Sequence, residues 1–238
     1  MKDQRKSFSI KKIAILVTIL ALPGFCYYLL QEKGENRYKS LPFYGEKKLT
    51  GTFHSKRGKQ IPDTLYHAAR PFTMLNSDST AVTFKPDSSV AIVSFFFTRN
   101  QELATAINQN MQQIARRFEN NEMVKLYSIS IDPSLDDLTA LKQYKQKWGN
   151  FQHWNMLWPA SKKEVEVLAK EDFLLDVVYN PTTHRPVTHS SSIVLLDSER
   201  RIRGYYDALV KTDVDRLIDE IKLLLTEEFR NISVRQYE

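Results

Sequence analysis

The run Val90-Ala91-Ile92-Val93-Ser94-Phe95-Phe96-Phe97 constrains this chain more than any other stretch. It is apolar almost throughout and is bounded upstream by Pro86-Asp87-Ser88-Ser89, so it reads as a buried strand. Past Thr98-Arg99-Asn100 the apolar residues switch to helical spacing, with Ile107, Met111, Ile114 and Phe118 on one face of a helix predicted over 104–119. A buried strand running into a helix puts any chemistry at the turn between them.

The next strand, expected over 124–131, makes the unit β-α-β, for which a right-handed parallel crossover is the rule. A helix over 135–148 follows, with Ser134 or Asp136 as its cap, then an extended piece over 154–158. Ser161 with Glu164 three residues on has the form of a capping box and opens a helix over 161–172. The last third reads as an antiparallel hairpin, 191–196 and 201–206 around Asp197-Ser198-Glu199-Arg200. A closing helix over 212–229 carries Val214, Leu217, Ile218, Ile221, Leu224 and Leu225 on one face. Short hairpins over 49–54, 72–75 and 81–84 are expected to decorate this core. The order β-α-β-α then β-β-α is that of a thioredoxin-like α/β domain, placed at 49–229 with a tail at 230–238.

The amino-terminal part has a different character. Residues 13–30 carry no charge and follow Lys2, Arg5, Lys6, Lys11 and Lys12, the layout of a transmembrane anchor or a signal peptide. No small-x-small cleavage signal closes the run, and Phe25-Cys26-Tyr27-Tyr28 resembles an aromatic interface belt, so a retained single-pass anchor is the reading adopted. Residues 1–12 then stay cytoplasmic, 31–48 form a stalk, and the domain lies on the far side, in a compartment that is usually oxidising. Cys26 is the chain's one cysteine and sits inside the apolar run, so the domain can form no disulfide. Residues 1–60 hold 13 Lys+Arg against 4 Asp+Glu, whereas residues 61–238 hold 21 against 24. The basic charge therefore suits a membrane, and the domain offers no footprint for nucleic acid.

Four segments spread over residues 41–225 together resemble the SCO/SenC family. They are Leu41-Pro42-Phe43-Tyr44-Gly45; Phe95-Phe96-Phe97-Thr98; Ser130-Ile131-Asp132-Pro133 with Asp136; and Thr188-His189-Ser190, followed by Ile193-Val194-Leu195-Leu196-Asp197 and Arg201-Ile202-Arg203-Gly204-Tyr205-Tyr206. The resemblance implies an SCO-type thioredoxin-like fold with amino-terminal hairpin additions, anchored in a bacterial inner membrane and facing the periplasm. In that family two cysteines four apart and a distal histidine bind copper, which serves the dinuclear copper centre of cytochrome oxidase. Matched position by position, the first thiol position is Asn100, the proline after it is Gln101, and the second thiol position is Ala104. The histidine persists as His189, Asp132 and Pro133 persist, and Asp137 replaces the threonine of the DPxxDT motif.

Sulfur ligands give Cu(I) sites their affinity, and thiol–disulfide exchange needs a thiolate. Asn100 and Ala104 supply neither, so Asn100 is expected to cap the helix, and no enzyme activity is expected. One imidazole is not a metal site, and copper, if held at all at His189, is held weakly. His184 is read as a surface residue, Met111 and Met156 as core, and Asp132, Asp136 and Asp137 as helix-capping and first-turn acids. Ser190, Ser191 and Ser192 lack the glycines of a nucleophile elbow. The expected role is a redox-silent protein acting through contact with an oxidase subunit or another SCO-like protein. The alternative is a metal-binding chaperone with a residual or altered copper site centred on His189.

Overall fold

A computed structural model describes residues 10–33, 40–56, 59–180, 182 and 186–235. It divides into two compact units, residues 1–39 and 40–238. Within the first, α1 (Ile10–Lys33) contains Pro23. Among the described residues no helix is long and apolar enough to cross a membrane. The side chains described within α1 are those of 11–12 and 15–28, so part of the charge-free run is left out, and the apolar members described are exposed.

The second unit begins with a hairpin, β1 (Lys47–Lys56) and β2 (Lys59–Tyr66), which forms a sheet of its own. Next come β3 (Phe72–Asn76), β4 (Ala81–Phe84), β5 (Val90–Phe96), α2 (Gln101–Arg117), β6 (Val124–Ser130), α3 (Leu138–Gln146) and β7 (Trp154–Trp158). Then follow α4 (Lys162–Val167), continued by a π-turn at Leu168–Asp172, β8 (Val177–Tyr179), β9 (Pro186–His189), β10 (Ser192–Leu196), β11 (Ile202–Asp207) and α5 (Lys211–Arg235). The central sheet has seven strands in the order β11-β10-β5-β6-β7-β3-β4. The β5, β6 and β7 strands are parallel, with the rest antiparallel to their neighbours.

Every residue of β5 is buried because both faces of the sheet are covered. Val90, Ile92 and Phe96 point to one core with Ile107, Met111 and Ile114 of α2 and Leu217, Ile221 and Leu224 of α5. Ala91, Val93 and Phe95 point to the other, with Phe84, Val165, Leu168 and Phe173. The one polar residue of the strand, Ser94, meets Ser128 of β6 at 3.0 Å between hydroxyls, so its burial leaves no unsatisfied group.

Several expectations need correction. The β3–β4 hairpin does not decorate the core but extends the sheet, since Leu75 and Asn76 pair with Trp158 and Leu157. Neither Ser134 nor Asp136 caps α3; Asp137 does, accepting from Ala140 N, and the helix starts at Leu138. Asp136 is instead drawn into the protein by long-range hydrogen bonds described below. The closing helix runs on to Arg235, past the boundary expected at 229. The β8–β9 hairpin went unread, because strands of three and four residues are too short to show a period.

The Leu41–Tyr44 stretch, read as part of a spacer, is pinned to the domain. Tyr44 N donates to Ile202 O at 3.0 Å, and Arg203 donates to the carbonyl oxygens of Leu41 and Pro42 at 2.7 and 3.3 Å. The Arg203 guanidinium also lies 4.1 Å from the centre of the Phe43 ring and bonds to Asp197 and Glu227.

Candidate site at the turn between β5 and α2

The parallel strands β5 and β6 end side by side, with Phe96 opposite Ser130 and Ile131 N donating to Phe96 O at 2.9 Å. That register sets the turn at residues 97–100 beside the turn at 131–136, outside the carboxyl ends of the strands where open α/β sheets place their sites. Asn100 N donates to Phe97 O at 3.2 Å, and the Asn100 side-chain oxygen accepts from Leu103 N at 3.3 Å. Asn100 is thus the helix cap expected of it. Ala104, on the first turn of α2, is wholly buried in the core with Ile107 and Met111.

Asp136 ties the two turns together. Its carboxylate accepts from Thr98 N at 3.1 Å, from Ser130 Oγ at 2.7 Å and from the Thr98 hydroxyl. Burial pushes its pKa up, and these three donors act in the opposite direction. Asp132 is also buried; its Oδ1 lies 3.6 Å from Lys162 Nζ and accepts no hydrogen bond among the described residues. Trp158 Nε1 holds Pro133 O at 3.1 Å, and the Tyr179 hydroxyl of β8 donates to Ile131 O at 2.7 Å. Burial first, and then the neighbouring Asp132 charge, raises the Tyr179 pKa. Thr98, Ser130 and Tyr179 thus carry the local architecture. The partners of Thr98 and Tyr179 are brought in from 38 and 48 positions away, so local spacing offered no signal for them.

His189 closes β9 opposite Val177 and is buried, its ring edge-on to Phe97 with 5.6 Å between centroids. Its Nδ1 lies 2.9 Å from Ser190 O, and a carbonyl can only accept, so Nδ1 carries the proton and Nε2 the lone pair. Nε2 is buried and has no hydrogen-bond partner among the described residues. Burial also lowers the His189 pKa, with the bond to Ser190 acting against it, so the ring is held neutral. No serine hydroxyl meets Nε2: Ser190 Oγ bonds to Ser192 Oγ, and Ser191 Oγ to Asp207.

The fold therefore brings His189 to the turn that Asn100 opens, through Phe97, while Ala104 turns into the core. Met111 and Met156 are core residues without exposure, as expected. His184 lies outside the described residues. No group of three or more His, Cys, Asp or Glu residues among the described ones could hold a metal ion. An amide, a methyl and one imidazole do not fit Cu(I), which sulfur ligands favour. Beside the turn, Thr98, Gln101, Thr105, Tyr144, Lys147 and Trp148 line a cavity of about 350 Å³ that sequence reasoning missed.

Comparison with known proteins agrees with this fold. The SCO1/SenC family model matches residues 62–226. No curated protein matches the chain in sequence. Among solved structures it is similar to a SCO1/SenC family lipoprotein from Bacillus anthracis, at 24% identity over 66% of this chain and 95% of that one, with a TM-score of 0.60. It is similar also to BsSco, a member of the Sco family of cytochrome c oxidase assembly proteins in which a disulfide switch was identified, at 24% identity, 67% and 94% coverage and a TM-score of 0.57. A third is copper-bound ScoI of Arabidopsis thaliana, at 20% identity, 69% and 99% coverage and a TM-score of 0.53. Identities this low speak for the fold alone, but the family model spans well over half of the sequence, and the chain belongs to the SCO1/SenC family.

Proposed function

We propose that this chain is a redox-silent member of its family that contributes to cytochrome oxidase copper-centre assembly by protein contact, without carrying copper or exchanging thiols. The observation that carries this reading is the state of the turn. Asn100 spends its side chain on capping α2 and Ala104 is sealed in the core, so neither position offers sulfur. Cys26 belongs to the other compact unit and cannot make a dithiol with any residue of the chain. The partner is an oxidase subunit or another SCO-like protein, which would meet the surface around Phe97 and Asn100.

The same proposal includes a membrane anchor with the domain on the periplasmic side of an inner membrane. The 24-residue helix α1 contains the charge-free run 13–30 behind a basic flank. Ile15, Leu16, Val17, Ile19, Leu20, Leu22 and Phe25 are each more than half exposed, on all sides of the helix, a surface suited to lipid.

One observation favours a second reading. The buried, unpartnered Nε2 of His189 is a neutral imidazole lone pair, the form that binds borderline metals. With the remaining ligands supplied by a partner, it would centre a metal chaperone of altered specificity. The test is to purify the full chain from membranes and measure metal content and co-purifying proteins, beside His189→Ala. Oxidase components without metal support the first reading. Stoichiometric metal that disappears in His189→Ala refutes it in favour of the second.

A further inference from the structure

The hairpin of β1 and β2 is joined by no other strand of the described chain. Its register pairs Leu49 with Thr64 and, past an irregularity, Phe53 with Pro62, so these share one face; Lys48 with Leu65 and His54 with Ile61 share the other. Apolar side chains are open on both faces: Leu49 is 71% exposed, Phe53 62%, Leu65 63% and Ile61 36%. An antiparallel ribbon in water ordinarily buries one face, and beyond Tyr66, which stacks on Phe43 at 4.0 Å, this one buries neither. Lys47 and Lys48, the latter 3.1 Å from Glu46, begin β1, Lys56 ends it and Lys59 begins β2, with Asp63 as the one acid between residues 47 and 66.

A groove on a protein covers one side of such a ribbon. The interface of an anionic bilayer takes in both sides and meets the basic ends with phosphates. The hairpin follows the charge-free run in sequence. Sixteen residues, 31–46, separate the run from Lys47. We propose that the β1–β2 hairpin is a second membrane contact, burying Leu49, Phe53, Ile61 and Leu65 among the headgroups of an anionic bilayer. The inference rests on the anchor reading above. It assigns the hairpin the work of holding the domain at the bilayer surface.

The test uses the full chain with Cys26→Ala, carrying either Phe53→Cys or, as a control on the exposed side of α2, Gln113→Cys. Each is labelled with an environment-sensitive fluorophore and reconstituted into vesicles of phosphatidylcholine and phosphatidylglycerol containing nitroxide-labelled lipid. The expected result is a blue-shifted probe at 53, quenched several-fold more than the probe at 113. That excess should shrink in vesicles of phosphatidylcholine alone and in a variant with Lys47, Lys48, Lys56 and Lys59 changed to Glu. A chain that resists alkaline carbonate extraction while its probe at 53 stays in water overturns the hairpin contact alone, and leaves the apolar faces to a protein partner. A chain that carbonate releases overturns the anchor reading and the inference with it.

Discussion

Restoring sulfur to the turn tests whether Asn100 and Ala104 stand where the thiols of other family members do. Asn100→Cys removes the cap on Leu103 N, a loss of about 1 kcal/mol. Ala104→Cys adds one sulfur to a side chain with no exposed surface, and overpacking of that kind costs about 1–3 kcal/mol. The double variant should therefore fold with a stability lower by roughly 2–4 kcal/mol, a fall in Tm of roughly 4–16 °C for a domain of this size. Cu(I) at a hundredfold excess over its Kd returns about 2.7 kcal/mol by mass action. Reduced protein should thus recover roughly 5–11 °C when copper is added, and the wild type should recover nothing. The assay is anaerobic thermal unfolding of the full chain with and without Cu(I), beside a competition titration against a chromogenic Cu(I) chelator. Adding His189→Ala to the double variant should weaken binding. A double variant that unfolds cooperatively in the expected range yet shows neither a copper shift nor stoichiometric binding refutes the positional matching.

Other outcomes follow from buried groups. His189 has a folded pKa below its ordinary value of 6.5, so its contribution to stability is present above that value and lost as pH falls. His153, lowered likewise, acts with the same sign, so the difference in urea midpoint between wild type and His189→Gln on acidification isolates His189; parallel curves would contradict its neutral burial. Asp136 acts with the opposite sign. Its raised folded pKa makes its contribution complete in acid, below the ordinary carboxyl range, and lost as pH rises through the folded value; Asp136→Asn should flatten that part of the urea-midpoint profile. Arg200 is fully buried and donates to Lys85 O at 2.8 Å and Asp87 Oδ1 at 2.9 Å. Arg200→Met leaves those acceptors without it and should cost about 3–5 kcal/mol in chemical denaturation, with a loss under about 1 kcal/mol counting against a structural role. At Gly204 an added Cβ would come within 2.2 Å of the buried Tyr206 hydroxyl, so Gly204→Ala should cost about 1–3 kcal/mol in the same assay, and an unchanged midpoint would show that the strand relaxes freely.

Long periodic elements were legible in the sequence. The buried strand at 90–96, the amphipathic faces of α2 and α5 and the β10–β11 hairpin all emerged, because a core imposes period and apolarity on the residues that face it. The Asn100 cap was legible too, since capping is settled within three residues. The cap of α3 was not, although it obeys the same local chemistry. Three nearby residues, Ser134, Asp136 and Asp137, could each have served. The choice fell to Asp137 because Thr98 and Ser130, brought alongside by strand pairing, had engaged Asp136.

By itself the sequence determined what this domain lacks. A chain whose single cysteine lies at position 26 cannot form a dithiol within itself, however it folds. It determined also that a strand apolar on both faces must be covered on both. Tertiary structure alone decided where Ala104, His189 and Asp136 came to lie. It turned Ala104 into the core, set His189 against Phe97 with its Nε2 unpartnered, and drew Asp136 across to Thr98. It also left both faces of the first hairpin open. Each of these depends on contacts between residues tens of positions apart, or on their absence, and only the register of a folded sheet decides which of those residues meet.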